Sequence, residues 1–147
     1  MRPQTEKLSD TYKNIQETTY YTINHIEHSF IKNAHYTSAK LSKGQSEFDA
    51  MNLQEEFNNN FFAPFVKRSL VKIGMKLVEE ILLPNQCIFI VGSIELIILP
   101  NHSINDLGQL DLDKLKGVGI SGLNSYYKLK KIGSFPYVRE NELPEFK

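Results

Sequence analysis

Val71-Lys72-Ile73-Gly74-Met75-Lys76-Leu77, followed after Leu83-Pro84-Asn85-Gln86 by Cys87-Ile88-Phe89-Ile90-Val91-Gly92-Ser93-Ile94-Glu95-Leu96-Ile97-Ile98-Leu99, is the stretch that decides the fold. In the first run Val71, Ile73, Met75 and Leu77 alternate with Lys72, Gly74 and Lys76, the period of a strand with one buried and one wet face. The second run is apolar in both phases, which predicts cover on both sides, by a barrel interior and by a helix or a second subunit. Pro84 and Asn85 supply the turn between them. Residues 66–99 therefore read as a long antiparallel hairpin. Two strands alone are marginal in water, so the hairpin must belong to a larger barrel or sheet.

Around this hairpin, 147 residues of which 41% are hydrophobic suit one domain, 1–147, with a modest core. Seventeen basic and seventeen acidic residues cancel, so the overall charge favours neither nucleic acid nor an anionic membrane as partner. The single cysteine, Cys87, forms no internal disulfide and suits a reducing cytoplasm. Met1 to Lys7 is polar and lacks an apolar signal core. The 88–99 run is too short for a membrane-spanning helix and is interrupted by Gly92, Ser93 and Glu95.

Upstream, Ser9 or Asp10 is positioned to cap a short helix through Thr18 with Tyr12 and Ile15 on one face, and residues 19–24 read as a strand. Residues 26–34 predict another short helix with Phe30 and Ile31 inward, 42–45 a loop, and 46–51 a helical turn capped by Ser46. The exposed amides of such a terminus make a plausible anion site. Downstream, 100–110 is a polar, turn-rich connection and 111–115 at most one helical turn. Gly117-Val118-Gly119-Ile120-Ser121-Gly122 lacks the spacing and the strand-to-helix setting of a phosphate loop.

Candidate chemistry is sparse. His25 and His28 stand three apart with His35 nearby, but no Cys or carboxylate sits at a companion spacing for zinc. No Ser–His–Asp or Cys–His set stands out. Tyr36-Thr37-Ser38-Ala39-Lys40, with Ser46-Glu47-Phe48 after it, offers several hydroxyls beside a helix start. Such a cluster suits either a phosphate or flavin edge or plain loop capping.

The wording of the sequence adds a resemblance. Asp10-Thr11-Tyr12-Lys13-Asn14-Ile15-Gln16-Glu17-Thr18 leading into Tyr20-Tyr21-Thr22-Ile23-Asn24 resembles the helix and strand of flavin reductase-like proteins. His35-Tyr36-Thr37-Ser38-Ala39-Lys40 and Ser46-Glu47-Phe48 resemble that family's flavin-side loop, and residues 72–80, 88–97 and 119–127 follow in the family's order. The family is the FMN-binding split barrel of flavin reductases and flavoredoxins. The resemblance implies a mainly β fold with short helices (α+β): a split-barrel-like antiparallel barrel, incomplete at its N-terminus, because family members begin well before the residue matching Met1. That incompleteness implies an open sheet edge and an exposed apolar patch beside the hairpin.

The resemblance further implies a cytoplasmic homodimer holding FMN near the subunit interface. Arg2, Asp10 and Thr11 would lie by the FMN phosphate or ribityl chain, and Thr37, Ser38, Ser46, Glu47 and Phe48 would border the flavin from the second loop. No side chain need act as nucleophile, since the isoalloxazine accepts hydride. The activity implied is that of an oxidoreductase passing electrons from a nicotinamide donor through FMN to a flavin or other acceptor. Two alternatives stay open: a dimeric β-barrel remnant without flavin, and a small-ligand sensor using the same cleft.

Overall fold

In the computed structural model, which describes residues 1, 3, 8–42 and 44–146, the two apolar runs form the central hairpin. Its strands are β4 (Lys72–Leu82) and β5 (Ile88–Ile98). The turn closes through Leu83 N–H donating to the Cys87 carbonyl (2.8 Å), with Gln86 in the left-handed region (φ 63°). Asn85 accepts the Cys87 amide on its side-chain oxygen at 3.0 Å. Register shifts at Gly74/Met75 and Leu77/Glu79 mark β-bulges that bend and twist the ribbon.

Before the hairpin come α1 (Asp10–Thr18) and β1 (Tyr20–Asn24). Ser9 caps α1 by accepting the Tyr12 amide, and Thr19 ends it in the left-handed conformation (φ 63°). Tyr12 and Ile15, one turn apart, are its buried residues. β1 then pairs antiparallel with β4, giving a three-stranded sheet of order β1-β4-β5. Two short helices follow, α2 (Ile31–Tyr36) and α3 (Glu47–Ala50), then the two-residue strands β2 (Glu55–Glu56) and β3 (Phe65–Val66). The small hairpin of β6 (Val118–Ser121) and β7 (Ser125–Lys128) completes the strands. The fold is mostly strand with a few short helices, and the sheet stays open rather than closing on itself.

The core lies where the 55–66 segment folds over one face of the sheet. Phe61, Ala63 and Phe65 are buried against Tyr20, Leu96 and Ile98. Tyr20 meets Phe61 edge-on at 5.5 Å, and Phe61 meets Phe65 at 5.4 Å. Two side-chain bonds fasten the segment to β1: the Thr22 hydroxyl donates to the Pro64 carbonyl (2.8 Å), and Asn24 accepts the Val66 amide (3.0 Å). A third tie crosses to β4, where Lys72 donates to the Glu56 carboxylate.

Two expectations need correction. The alternation in β4 predicts Lys72, Gly74 and Lys76 on a wet face, yet only Lys76 is exposed; Lys72 and Gly74 are buried. The 55–66 segment covers their phase, and Gly74 is small enough to let the Phe61 ring lie within van der Waals reach of the strand. Within one chain, β5 leaves part of its apolar surface exposed, the side that the reading assigns to a helix or a second subunit. Ile23, Ile73 and Ile97 form one row across the sheet and Tyr21, Met75 and Ile94 the next. Ile23, Ile94 and Ile97 remain exposed, because these rows face away from the 55–66 segment.

The helix expected over 26–34 begins only at Ile31 and runs to Tyr36. The preceding residues are drawn into a bridge from Glu27 to Gly117, with the His28 amide donating to the Lys116 carbonyl, and that pairing precludes helix. Phe30 does point inward, 3% exposed, with Arg68 stacked over its ring, while Ile31 is only half-buried.

Candidate functional site

The residues implied for a flavin site fall into two groups, and β1 stands between them. Asp10 and Thr11 sit in the first turn of α1, both exposed, with Asp10 paired to Lys13 at 3.2 Å. This helix packs toward the far half of β4: the Tyr12 hydroxyl donates to Glu80 Oε2 at 2.7 Å and accepts from Gln16 Nε2 at 2.9 Å. The bond to Glu80, together with burial, raises the Tyr12 pKa above the usual tyrosine value. Arg2 lies outside the described residues.

The second group gathers at the opposite end of β1, where the His25 amide bonds the Val71 carbonyl. After α2 the Thr37 hydroxyl donates to the Ala34 carbonyl (2.7 Å) and the Ser38 hydroxyl to the His35 carbonyl (2.8 Å). Both therefore present only lone pairs outward. Ser46 caps α3 as the sequence predicts, accepting the Phe48 amide at 3.2 Å. That amide is consequently no longer available to an anion, and Glu47 and Asp49 add two carboxylates in the same turn. α3 spans four residues, so its dipole is small.

Ser46 and Phe48 line a polar cleft of about 600 Å³, whose other walls are Asp49, Leu53, Gln54, Glu55 and Lys67. The Asn33 amide holds the cleft in place by donating to the Met51 carbonyl (2.7 Å), and the Lys67 amide bonds the Gln54 carbonyl (2.9 Å). Lys67 supplies the cleft's cation, and Phe48 its one aromatic ring. Sequence reasoning missed Gln54, Glu55 and Lys67, since they reach Ser46 only because β2 and β3 pair behind α3. No local spacing announces them.

A second cleft, about 440 Å³, opens between α2 and the β6–β7 hairpin. It brings together His28 and His35 of the histidine set with Lys32, Tyr36 and Tyr126, and His35 Nδ1 lies 3.1 Å from the Tyr126 hydroxyl. His25 lines a different, smaller recess beside Leu115. Among the described residues no three metal-ligating side chains converge. Gly117 to Gly122 forms β6 and the turn into β7 instead of a phosphate loop.

A paired hairpin flanked by short helices, with an open sheet and polar clefts at its margin, is the architecture of a split barrel. A family model described as flavin reductase like domain matches residues 4–108, so the chain belongs to the flavin reductase-like family. Among solved structures, a split-barrel-domain protein of the flavin reductase type from Shewanella frigidimarina NCIMB 400 is 40% identical, with TM-score 0.84, covering 87% of this chain. This chain spans 65% of that protein's length. Nitrilotriacetate monooxygenase component B from Bacillus cereus (20% identity, TM-score 0.78, 91% of this chain and 68% of that one) shares the fold. So does flavoredoxin of Desulfovibrio vulgaris Miyazaki F (22%, 0.74, 89% and 70%). Comparison with curated proteins returns no match. Among the described residues no helix is long and apolar enough to cross a membrane.

Proposed function

We propose that residues 1–147 form a single split-barrel-like domain that binds FMN and works as an oxidoreductase of flavin reductase type. Electrons pass from a nicotinamide donor to a flavin or other acceptor. The observation that carries this reading is the 40% identity, over 87% of the chain, with the Shewanella protein of flavin reductase type. Bound FMN supplies the redox chemistry, accepting a hydride and passing its electrons on. The chain supplies binding and orientation.

The cleft beside α3 offers a hydroxyl, an amide, a ring and one cation, with the Asp49 and Glu55 carboxylates beside them. Its volume lies in the range of small-molecule sites, its Phe48 ring can lie against a flat heterocycle, and Lys67 can hold a phosphate oxygen. In this reading Thr37, Ser38, Ser46, Glu47 and Phe48 border the flavin ring or its phosphate, while Arg2, Asp10 and Thr11 attend the ribityl chain. β1, five residues and about 16 Å from end to end, lies between the two groups. In this reading the working unit is a homodimer with the flavin near the subunit interface.

Purified protein soaked with FMN and desalted tests the proposal. Retained flavin absorbance, lost in Thr11→Ala or Ser38→Ala, supports it, and nicotinamide-dependent bleaching of the bound colour supports the activity. Protein that stays colourless overturns it. The second reading is a flavin-free dimeric β-barrel; a colourless yet homogeneous dimer is its signature.

A further inference from the structure

The cleft of about 440 Å³ between α2 and the β6–β7 hairpin is lined by side chains of one electrostatic kind. His28, Lys32 and His35 stand on its α2 side and Asn124 and Tyr126 on its hairpin side, and among the described residues no carboxylate lines it. Glu27, beside the rim, accepts the Ser29 hydroxyl at 2.8 Å. The Arg68 guanidinium adds a further positive charge there by donating to the Ser29 carbonyl at 3.1 Å. The cleft beside α3 differs, because its cation, Lys67, shares the walls with Asp49 and Glu55.

His28 and Lys32 are exposed, and either one alone would be an ordinary solvated side chain. Lys32 and His35, however, are three residues apart on α2 and project from one face. His35 is half-buried and held edge-on to two rings, Tyr36 at 5.4 Å and Tyr126 at 5.8 Å, with its Nδ1 3.1 Å from the Tyr126 hydroxyl. When that hydroxyl donates to Nδ1, the imidazole carries its hydrogen on Nε2. Among the described residues His35 Nε2, the His28 ring and the Lys32 ammonium have no hydrogen-bond or ion-pair partner. Asn33, next to Lys32, instead donates to the Met51 carbonyl on the side of the cleft beside α3, so α2 separates the two clefts.

We propose that the cleft between α2 and the β6–β7 hairpin is an anion site, separate from the flavin cleft, that takes the phosphoryl group of a small ligand carrying a flat ring. Donors on two walls suit a tetrahedral anion, whereas a planar carboxylate is met best by paired donors in one plane. Lys32 supplies the fixed charge, His28 and His35 supply ring N–H donors, and Asn124 supplies an amide from the hairpin. Tyr126 is a positioning residue that holds His35. The volume lies in the range of small-molecule sites and exceeds what a bare phosphate needs. The exposed Tyr36 ring offers a stacking surface for the rest of the ligand. This inference goes beyond the flavin reading and stands whether or not the cleft beside α3 holds FMN.

An NMR titration of the full chain with AMP, inorganic phosphate and adenosine tests the site. AMP is expected to shift the amide signals of residues 28–36 and 124–126, inorganic phosphate to shift the same signals with weaker affinity, and adenosine to leave them unmoved at the same concentration. Lys32→Ala and His35→Gln are each expected to weaken AMP binding by about tenfold, and Lys67→Ala to leave it unchanged. Lys32 is exposed, so its variant keeps the fold and the loss is one of binding. Tyr126→Phe is expected to weaken AMP by a smaller factor and to move the His35 ring-nitrogen signals even without ligand. Equal shifts from AMP and adenosine, shifts centred on residues 46–67 that Lys67→Ala removes, shifts scattered over exposed lysines, displacement of AMP by FMN, or no shift at all each overturn the proposal. Protein that stays colourless with FMN yet gives the AMP shifts overturns the flavin reading alone.

Discussion

The Lys72 ammonium donates to the Glu56 carboxylate and so ties the first residue of β4 to β2. Lys72 is 8% exposed in its side chain and Glu56 30%, and Asn58 Nδ2 donates to the same Glu56 oxygen at 2.9 Å. The Lys72 bond first, then the Asn58 bond, holds the Glu56 pKa below the usual carboxylate value. A carboxyl group whose pKa falls on folding stabilises the fold above its unfolded pKa, near 4.5, and the contribution fades as pH drops through the folded value. Glu56→Gln is expected to lower stability by roughly 1–3 kcal/mol at pH 7, because it leaves a buried ammonium without its anion. In urea titrations the gap between variant and parent narrows below about pH 4.5.

Gly74 and Phe61 share a space that no Cβ can enter. A methyl group at Gly74 would lie 2.8 Å from two ring carbons of Phe61. Gly74→Ala is therefore expected to cost about 1–3 kcal/mol through displacement of the ring, read as a lower urea midpoint with unchanged slope. Phe61→Leu in the Gly74→Ala background is expected to recover part of that loss, a coupling that a double-mutant cycle measures directly.

Thr19 closes α1 with φ 63°, a conformation that costs a β-branched residue free energy and a glycine almost none. Its amide still reaches the Ile15 carbonyl at 2.8 Å, so glycine keeps the cap. Thr19→Gly is expected to raise stability by about 0.5–1 kcal/mol, less than the full strain relieved because glycine also frees the unfolded chain. Thermal melts of the two proteins check the direction.

Lys67 carries the positive charge, beside the Asp49 and Glu55 carboxylates, in the cleft that Ser46 and Phe48 line. If it holds the FMN phosphate, Lys67→Ala weakens FMN binding by about tenfold, the equivalent of ~1.4 kcal/mol. Riboflavin, which has the ring without the phosphate, is expected to bind parent and variant alike. Fluorescence titration with both ligands separates a phosphate contact from a general loss of the cleft.

The ribbon and the first helix could be read directly from the chain. Apolar runs on either side of Pro84-Asn85 set β4, β5 and their turn, and Ser9 with Tyr12 and Ile15 set α1, because turn chemistry and side-chain period act over a few residues. Family membership was legible too, through the order of segments that are each unremarkable alone. Tertiary structure alone decided that Lys72 and Gly74 are buried beneath 55–66, that the Ile31–Tyr36 helix starts late because Glu27 bridges Gly117, and that Lys67 joins Ser46 and Phe48 in one cleft. Each depends on contacts between residues far apart in sequence, whose free energy outweighs local preference only once the chain is folded.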